Sequence, residues 1–131
     1  MANAQLEEGT TLAVDFGKRG GFIPCVVQDV RDGAILMLGY VNAVALQTTL
    51  DKGLATFWST SRNELWTKGE TSGDFLSIEE ILIDCDQDSL VYRVVRKGAG
   101  ACHTTDPATG SARHSCFYRR LDVQRRELEF C

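Results

Sequence analysis

The apolar positions in the first third of the chain form two runs joined by a turn. Residues 22–30 and 34–41 are rich in β-forming side chains, and Asp32-Gly33 stands between them. Glycine tolerates the positive φ of a tight turn, so two apolar runs joined across Asp-Gly are typical of an antiparallel hairpin. The sequence therefore predicts a β-hairpin over residues 22–41.

A longer apolar period after this hairpin predicts the main helix. Asn42 is of the residue type preferred at a helix N-cap, and Gly53 is of the type preferred just beyond a helix end. Leu46, Thr49 and Leu50 fall on one helical face between them. We expect a single helix of about three turns.

The remaining apolar runs are short and predict strands. Residues 75–83 also fit a helix, but we favour a strand because residues 90–95 would make a strong partner and the acidic stretch between can turn. Residues 1–10 are expected to be flexible, and a charged tail is expected to follow the last strand. The predicted fold is a β-rich α+β single domain spanning residues 1–131, with one main helix and further strands at residues 54–59, 65–67, 75–83, 90–95 and 117–123.

Composition and charge exclude several function classes. A chain of 131 residues is long enough for one modest core. It has no apolar run of membrane-spanning length, and its first residues lack a signal-peptide pattern, so we expect a cytoplasmic protein without membrane contact. The net charge of −4 disfavours a general nucleic-acid surface, whereas a phosphorylated small molecule needs only a few placed cations.

The five cysteines are the first sign of chemistry. Their number is odd, and in a reducing compartment clustered thiols are more often metal ligands or catalytic groups than disulfides. Cys25 lies in an apolar run and is predicted to fill the core, and Cys131 is terminal and predicted to be inert. Cys85, Cys102 and Cys116 are left as candidate ligands.

Three acids alternate with one of these thiols. In an extended segment Asp84, Asp86 and Asp88 would share one side, while Cys85 would face the other. Three neighbouring carboxylates repel one another unless a hard cation neutralises them, and Mg²⁺ suits such a site. A solvated acidic turn is the alternative, because aspartate is common in turns.

The thiols and a neighbouring histidine fit a catalytic zinc. The spacing of Cys102 and Cys116 is not that of a CxxC zinc knuckle, but with Cys85 they would supply three ligands and leave one position open. Three thiolates make the site anionic, so a base or a nearby cation has to assist. His103 is the predicted base, against the alternative of an ordinary histidine without a role, and His114 is a weaker candidate.

A hydroxyl-rich basic stretch offers a phosphate site. Arg62, Lys68, Thr71 and Ser72 lie among glycines in residues 62–73, where backbone N–H groups and a guanidinium can hold phosphate. The spacing is not that of a P-loop, and a polar turn between strands is the alternative. Trp66 in this stretch and Trp58 just before it are more typical of core positions than of base stacking.

Taken together, these motifs are similar to those of the phosphoribosyl-AMP cyclohydrolase family. The resemblance covers roughly residues 21–119 and rests on several separate stretches. They are Leu-Met-Leu-Gly-Tyr-Val-Asn at 36–42, Thr-Phe-Trp-Ser-Thr-Ser-Arg at 56–62, Leu-Trp-Thr-Lys-Gly-Glu-Thr-Ser-Gly at 65–73, Asp-Cys-Asp-Gln-Asp at 84–88, Ala-Cys-His-Thr at 101–104 and Ser-Cys-Phe-Tyr-Arg at 115–119.

The resemblance implies an activity, two metals and an oligomer. It implies hydrolysis of the N1–C6 bond of the adenine ring of 1-(5-phosphoribosyl)-AMP, in histidine biosynthesis. It implies an intertwined homodimer in which zinc is held by Cys102 and Cys116 of one subunit and Cys85 of the other. It also implies Mg²⁺ at Asp84, Asp86 and Asp88. The chain departs from the family's pattern at Thr105 and residues 106–113, where the family has a glycine and a shorter loop.

Two alternative functions stay open on the sequence. A zinc-dependent nucleotide deaminase-like hydrolase would release ammonia, and such enzymes usually carry a glutamate beside the metal histidine and a CxxC motif, which this chain lacks. A structural zinc-binding interaction module would use a fourth protein ligand and would not hydrolyse the nucleotide.

Overall fold

The computed structural model describes residues 4–131. Its elements in chain order are α1 (Ala4–Glu8), a 3₁₀ helix (Phe16–Arg19), β1 (Ile23–Asp29), β2 (Ile35–Val41), α2 (Ala43–Lys52), β3 (Thr56–Ser59), β4 (Glu64–Thr67), β5 (Leu76–Ile83), β6 (Leu90–Arg96), β7 (Arg119–Asp122) and β8 (Glu127–Phe130). The predicted β-rich α+β fold with one main helix is confirmed. Among the described residues, no helix is both long and apolar enough to cross a membrane.

The predicted hairpin is present and forms one side of the main sheet. β1 and β2 pair antiparallel, with Val26 opposite Leu38. Gly33 has a φ of 75°, and the Asp32 carboxylate accepts a hydrogen bond of 2.9 Å from the Ala34 amide. The turn therefore forms for the reason that its Asp-Gly sequence predicts.

The central sheet has four strands in the order β2-β1-β6-β5. β1 and β6 run parallel, and β5 and β6 form an antiparallel hairpin in which Ile81 lies opposite Tyr92. The ambiguous segment at residues 75–83 is thus a strand, as predicted. The hairpin turn between β5 and β6 is the acidic stretch at residues 84–89, so the topology places that stretch at one end of the sheet.

Helix α2 begins and ends as its capping residues predict. The Asn42 side chain accepts a 2.8 Å hydrogen bond from the Ala45 amide, and Gly53, at a φ of 70°, donates its amide to the Thr49 carbonyl at 2.8 Å. The predicted buried face is correct for Leu46 and Thr49. Leu50 is 52% exposed, and the third buried position of the helix is Ala45.

The core lies between the main sheet, α2 and the β3–β4 hairpin. Phe57 on β3 packs against the rings of Trp66 and Tyr92, with centroids 4.9 and 5.9 Å apart. Gly39 permits this packing, because a Cβ there would lie 2.6 Å from the Phe57 ring. Cys25 is fully buried, as predicted for a core residue, and desolvation raises the pKa of its thiol.

The C-terminal residues differ from the predicted charged tail. The closing strand predicted at residues 117–123 is present as β7, but the chain then turns and returns as β8. The Asp122 carboxylate accepts hydrogen bonds from the Gln124 and Arg125 amides, and Arg120 pairs with Glu129 across the strands at 2.7 Å. Local capping and cross-strand charge thus form a hairpin where the composition suggested only a tail.

The N-terminal residues also differ from expectation. Residues 4–8 form the short helix α1, which was not predicted, and the expected flexibility of residues 1–10 stays a prediction. Residues 1–3 lie outside the described part of the chain. The 3₁₀ helix was not predicted either, although Asp15 caps it by accepting a 3.2 Å hydrogen bond from the Lys18 amide.

Candidate metal and phosphate site

The loop between Cys102 and Cys116 forms a small antiparallel ladder. The Cys102 amide donates to the Arg113 carbonyl at 3.1 Å, and the Arg113 amide donates to the Thr104 carbonyl at 3.0 Å. Farther out, the Asp106 amide donates to the Ser111 carbonyl at 2.8 Å. The residues that lengthen this loop therefore form a hydrogen-bonded hairpin rather than an irregular loop. The base of this hairpin brings the Cys102 and Cys116 segments together.

Two anchors fix the end of this ladder against the main sheet. The Cys116 amide donates to the Leu36 carbonyl at 2.7 Å, and the Ser115 hydroxyl donates to the Ile35 carbonyl at 2.6 Å. Gly100 lets the two segments approach, because a Cβ there would lie 2.2 Å from the Arg113 carbonyl oxygen. The position of Cys116 is thus set by strand β2 as well as by the ladder.

The two thiols are in contact and have opposite electrostatic surroundings. Burial raises the pKa of the Cys102 thiol, but hydrogen bonds from Thr104 and Cys116 and the charge of Arg113 outweigh burial and leave that pKa below its usual value. The Thr104 hydroxyl lies 3.0 Å from the Cys102 sulfur. Desolvation and the neighbouring Cys102 raise the pKa of Cys116 to about 11. Cys102 is therefore the more acidic thiol of the pair, and a bound cation would displace the proton that Cys116 holds.

A cavity of about 910 Å³ brings the predicted site residues together. His103 is exposed, follows the buried Cys102 directly and lines the same cavity. All four predicted phosphate ligands line the same cavity as the thiols. The predicted residues on its wall are Arg62, Lys68, Thr71, Ser72, Cys102, His103 and Cys116.

The loop between β4 and β5 shapes the wall of this cavity that carries Lys68. The Thr67 amide donates to the Glu70 carboxylate at 3.0 Å, and Gly69 has a φ of 97° where a Cβ would lie 2.4 Å from the Phe75 amide. The Lys68 charge acts in the direction that lowers the pKa of Cys116. The basic stretch and the thiol pair therefore belong to one electrostatic environment.

The acidic stretch is a closed turn rather than the extended segment that the alternation argument assumed. The Asp84 carboxylate accepts hydrogen bonds from the Asp88 and Ser89 amides at 2.9 and 3.1 Å. The carboxylate oxygens of Asp84, Asp86 and Asp88 still meet within 4.8 Å of one another. The expected convergence is thus present for a different reason: the turn folds the acids together, and Cys85 is exposed on it.

Two carboxyls of the turn, those of Asp84 and Asp86, have pKa values shifted in opposite directions. Burial raises the pKa of Asp84, but hydrogen bonds from Ser89 and Asp88 outweigh it and lower that pKa to about 2. The pKa of Asp86 is raised, first by its contact with the Asp88 carboxyl and then by desolvation and by Asp84. Asp86 is therefore held against two other carboxyls in a contact that favours its protonated form, and a hard divalent cation would take the place of that proton.

Cys85 does not join the thiol pair within one chain. Two groups of three metal-ligand side chains occur among residues 4–131, one being the acidic turn and the other Asp29, Asp32 and His114. The three candidate zinc thiols are not such a group. The assignment of Cys85 to a partner subunit therefore stays a prediction.

Sequence reasoning missed two features beside the site. Asp29 is buried and fully engaged, because it pairs with Arg96 at 2.8 Å and accepts a hydrogen bond from the Arg31 amide, which marks a structural role. His114, the weaker base candidate, lies 3.5 Å from Asp32 at this place instead of in the cavity with His103. The sequence signal that could have indicated the role of Asp29 is a charged residue at the end of an apolar run.

Comparison with known proteins places most of the chain in one family. The family model for phosphoribosyl-AMP cyclohydrolase matches residues 37–118. The chain is 48% identical over 103 residues to the phosphoribosyl-AMP cyclohydrolase of Methanothrix thermoacetophila, covering 79% of this chain and 78% of the relative. It is 46% identical over 112 residues to that of Streptococcus mutans, covering 86% and 95%. It is also 46% identical over 111 residues to that of Chlorobium chlorochromatii, covering 85% and 74%.

Proposed function

The chain belongs to the phosphoribosyl-AMP cyclohydrolase family, and on that premise we propose a zinc-dependent ring-opening hydrolysis. The substrate is 1-(5-phosphoribosyl)-AMP, the bond broken is N1–C6 of its adenine ring, and the product is the formimino-carboxamide ribotide of histidine biosynthesis. The reaction takes place in the cytoplasm. One observation carries the proposal: a single cavity holds the four phosphate-ligand candidates, the thiol pair and His103.

The thiol pair suits zinc by its donor chemistry. Cys102 and Cys116 are in contact, the pKa of Cys102 is lowered, and a soft divalent ion prefers such sulfur ligands. Cys102, Cys116 and Cys85 of a second subunit would hold the ion. Zinc bound there supplies Lewis-acid activation of the water that attacks C6.

The side chains of the cavity divide the remaining work. Arg62, Lys68, Thr71 and Ser72 bind the substrate phosphate through charge and hydroxyl donors, and so hold the purine in place above the thiols. His103 stands beside the thiol site and accepts the proton of the attacking water. Cleavage of N1–C6 then needs a proton at N1.

The acidic turn suits a magnesium ion. Asp84, Asp86 and Asp88 offer hard oxygen ligands within 4.8 Å of one another, and the raised pKa of Asp86 reports the repulsion that a cation removes. These three residues would hold Mg²⁺ together with retained waters.

A homodimer would complete the zinc site. Cys85 is exposed on the acidic turn and free to reach a second copy of the chain. Mixing two inactive variants, Cys85→Ser and Cys102→Ser, tests this arrangement. Each mixed dimer has one intact site, and half of randomly assorted dimers are mixed, so about a quarter of wild-type activity should return. Activity that stays at the level of the separate variants would contradict a shared site.

The activity is tested with the purified protein and 1-(5-phosphoribosyl)-AMP. Ring opening is followed by absorbance before chelation, after chelation and after readdition of Zn²⁺, with an ammonia assay on the same samples. We expect metal-dependent ring opening without ammonia. Release of ammonia would indicate the deaminase-like alternative, and tightly bound zinc without turnover would indicate the structural module.

A matched pair of variants tests the cavity wall. Lys68→Met removes a proposed phosphate contact and should raise KM at least tenfold, whereas Lys97→Met, at an exposed position just after β6, should leave it unchanged. Equal KM values for the two variants would remove Lys68 from phosphate binding.

A further inference from the structure

Gln87 has an unusual conformation at the centre of the acidic turn. Its φ is 54°, in the left-handed region that side chains other than glycine, asparagine and aspartate seldom adopt. It is also 7% exposed, although its neighbours in the turn are more accessible. A glycine would satisfy the backbone here, so the presence of glutamine points to a use for its side chain.

The Gln87 side chain binds the N-terminal segment through three hydrogen bonds. Its amide nitrogen donates to the Leu6 carbonyl at 3.1 Å and to the Thr11 carbonyl at 3.2 Å. Its amide oxygen accepts a hydrogen bond from the Ala13 amide at 2.7 Å. Both donor hydrogens and the acceptor of one side chain are thus used on backbone more than 70 positions away in sequence.

The same residue is part of the frame that holds the acids. The Gln87 amide donates to the Asp84 carbonyl at 3.1 Å, and the next amide, that of Asp88, donates to the Asp84 carboxylate at 2.9 Å. Rotating the backbone at Gln87 would therefore move Asp88 relative to Asp84. Because the three carboxylates repel one another, the turn needs a restraint to keep them together before a cation arrives.

We propose that Gln87 is a positioning residue for the magnesium site, and that residues 6–13 are a strap that acts through it. The strap holds the Gln87 side chain, the side chain fixes the left-handed backbone, and that backbone keeps Asp84, Asp86 and Asp88 at cation-binding distance. This inference rests on the proposed function of the acidic turn. It assigns the N-terminal segment to metal binding, although that segment contributes none of the proposed ligands.

Mn²⁺ binding to the full-length protein tests the inference, with Mn²⁺ as a magnetic and calorimetric substitute for Mg²⁺. Gln87→Ala should weaken Mn²⁺ binding about tenfold, the usual effect of losing a residue that orients ligands. Gln87→Gly should weaken it as much, because the glycine accepts the φ but does not hold the strap. Asn63→Gly is the matched control, since Asn63 has a φ of 55° in the exposed β3–β4 turn, and it should bind Mn²⁺ like wild type.

Removing residues 2–12 should reproduce the loss. Combining this deletion with Gln87→Ala should add little further weakening, because both changes break the same connection. Additive losses would mean that the strap and the side chain act separately and would overturn the proposed chain of contacts.

Hydrogen exchange of the metal-free protein separates positioning from a merely structural role. In Gln87→Ala we expect faster exchange at the Asp88 and Ser89 amides, which hold the Asp84 carboxylate, as well as at Ala13. Faster exchange at Ala13 alone, with unchanged Mn²⁺ affinity, would overturn the inference and leave the magnesium site standing. Mn²⁺ affinity in wild type that Asp84→Asn does not reduce would instead overturn the magnesium site itself.

Discussion

The acidic turn and the thiol ladder both gather groups that repel one another, but they do so by different means. In the turn, the Asp84 carboxylate accepts hydrogen bonds from amides four and five residues along, so the turn itself is built from local contacts, which the N-terminal strap then restrains through Gln87. In the ladder, Cys102 and Cys116 meet only because residues 101–114 pair antiparallel and strand β2 anchors the Cys116 amide.

The difference shows in the acidity of the groups. Hydrogen bonds lower the pKa of Asp84 to about 2, so its charge is stabilised without metal. Desolvation and Cys102 raise the pKa of Cys116 to about 11, so its thiolate forms only with a cation. The oxygen site in the turn thus has an ionised ligand, Asp84, before a metal binds. The sulfur site in the ladder has to lose the Cys116 proton when it binds a metal. Four predictions test this contrast, from the largest expected effect to the smallest.

Cys102→Ser should abolish the sulfur site and leave the oxygen site intact. We expect bound zinc to fall below about a tenth of the wild-type content and kcat/KM to fall at least about a thousandfold, because a hydroxyl is a poor zinc ligand. Mn²⁺ binding at the turn should not change. Cys131→Ser, at the exposed terminus, is the control and should retain both. Zinc and full turnover in Cys102→Ser would remove zinc from the reaction.

Asp86→Asn should weaken the oxygen site while relaxing the turn. Mn²⁺ affinity should fall about ten- to a hundredfold, since one charged ligand is lost. The pKa of Asp86 is raised in the folded protein, so its ionised form opposes folding above the unfolded pKa, and this opposition disappears as pH falls below it. The metal-free variant should therefore melt slightly higher than wild type at pH 7 and equally at pH 3. A lower melting temperature at pH 7 would contradict the repulsion.

The same contrast explains what the sequence predicts well. Elements with a local cause were correct: the Asp32-Gly33 turn, the Asn42 cap and the Gly53 terminus each depend on residues within a few positions. The acids also converge as expected, although the prediction assumed an extended segment and the turn does it instead. Turns and caps that depend on neighbouring residues can be predicted from the local sequence.

What the sequence did not predict depends on contacts between distant segments. Three such contacts are the 105–112 hairpin, the pairing of β8 with β7 and the hydrogen bonds of Gln87 to the N-terminal segment. No local sequence pattern indicates which backbone groups these contacts join. The resemblance to the family supplied the ligand set but not this packing, because the chain departs from the family's pattern in the same loop. Within helix α2, the apolar pattern also does not predict that Leu50 is exposed while Leu46 and Thr49 on the same face are buried.

Zinc affinity should depend on pH in a way that Mn²⁺ affinity does not. Near neutral pH the Cys116 thiol is protonated, because its pKa is about 11, so each zinc bound must release at least this proton. Apparent zinc affinity should therefore rise at least about tenfold per pH unit between pH 6 and 8. Mn²⁺ affinity should change far less over this range, since its ligand Asp84 is already ionised. Titration with a pH indicator in weak buffer counts the protons, and zinc binding without proton release would contradict a protonated Cys116.

The smallest effect is expected at Arg113, which links the ladder to the C-terminal hairpin. Its guanidinium donates to the Thr104 hydroxyl at 3.2 Å and stacks over the Tyr118 ring at 4.0 Å, and Thr104 in turn contacts the Cys102 sulfur. Arg113→Ala should weaken zinc binding several-fold and lower stability by about 1 kcal/mol. Arg113→Lys should recover part of the zinc affinity through its charge but not the stacking. Arg119→Ala is the control, because its guanidinium lies 5.3 Å from the same ring and should affect zinc little; equal losses at the two positions would show that the ladder does not need this contact.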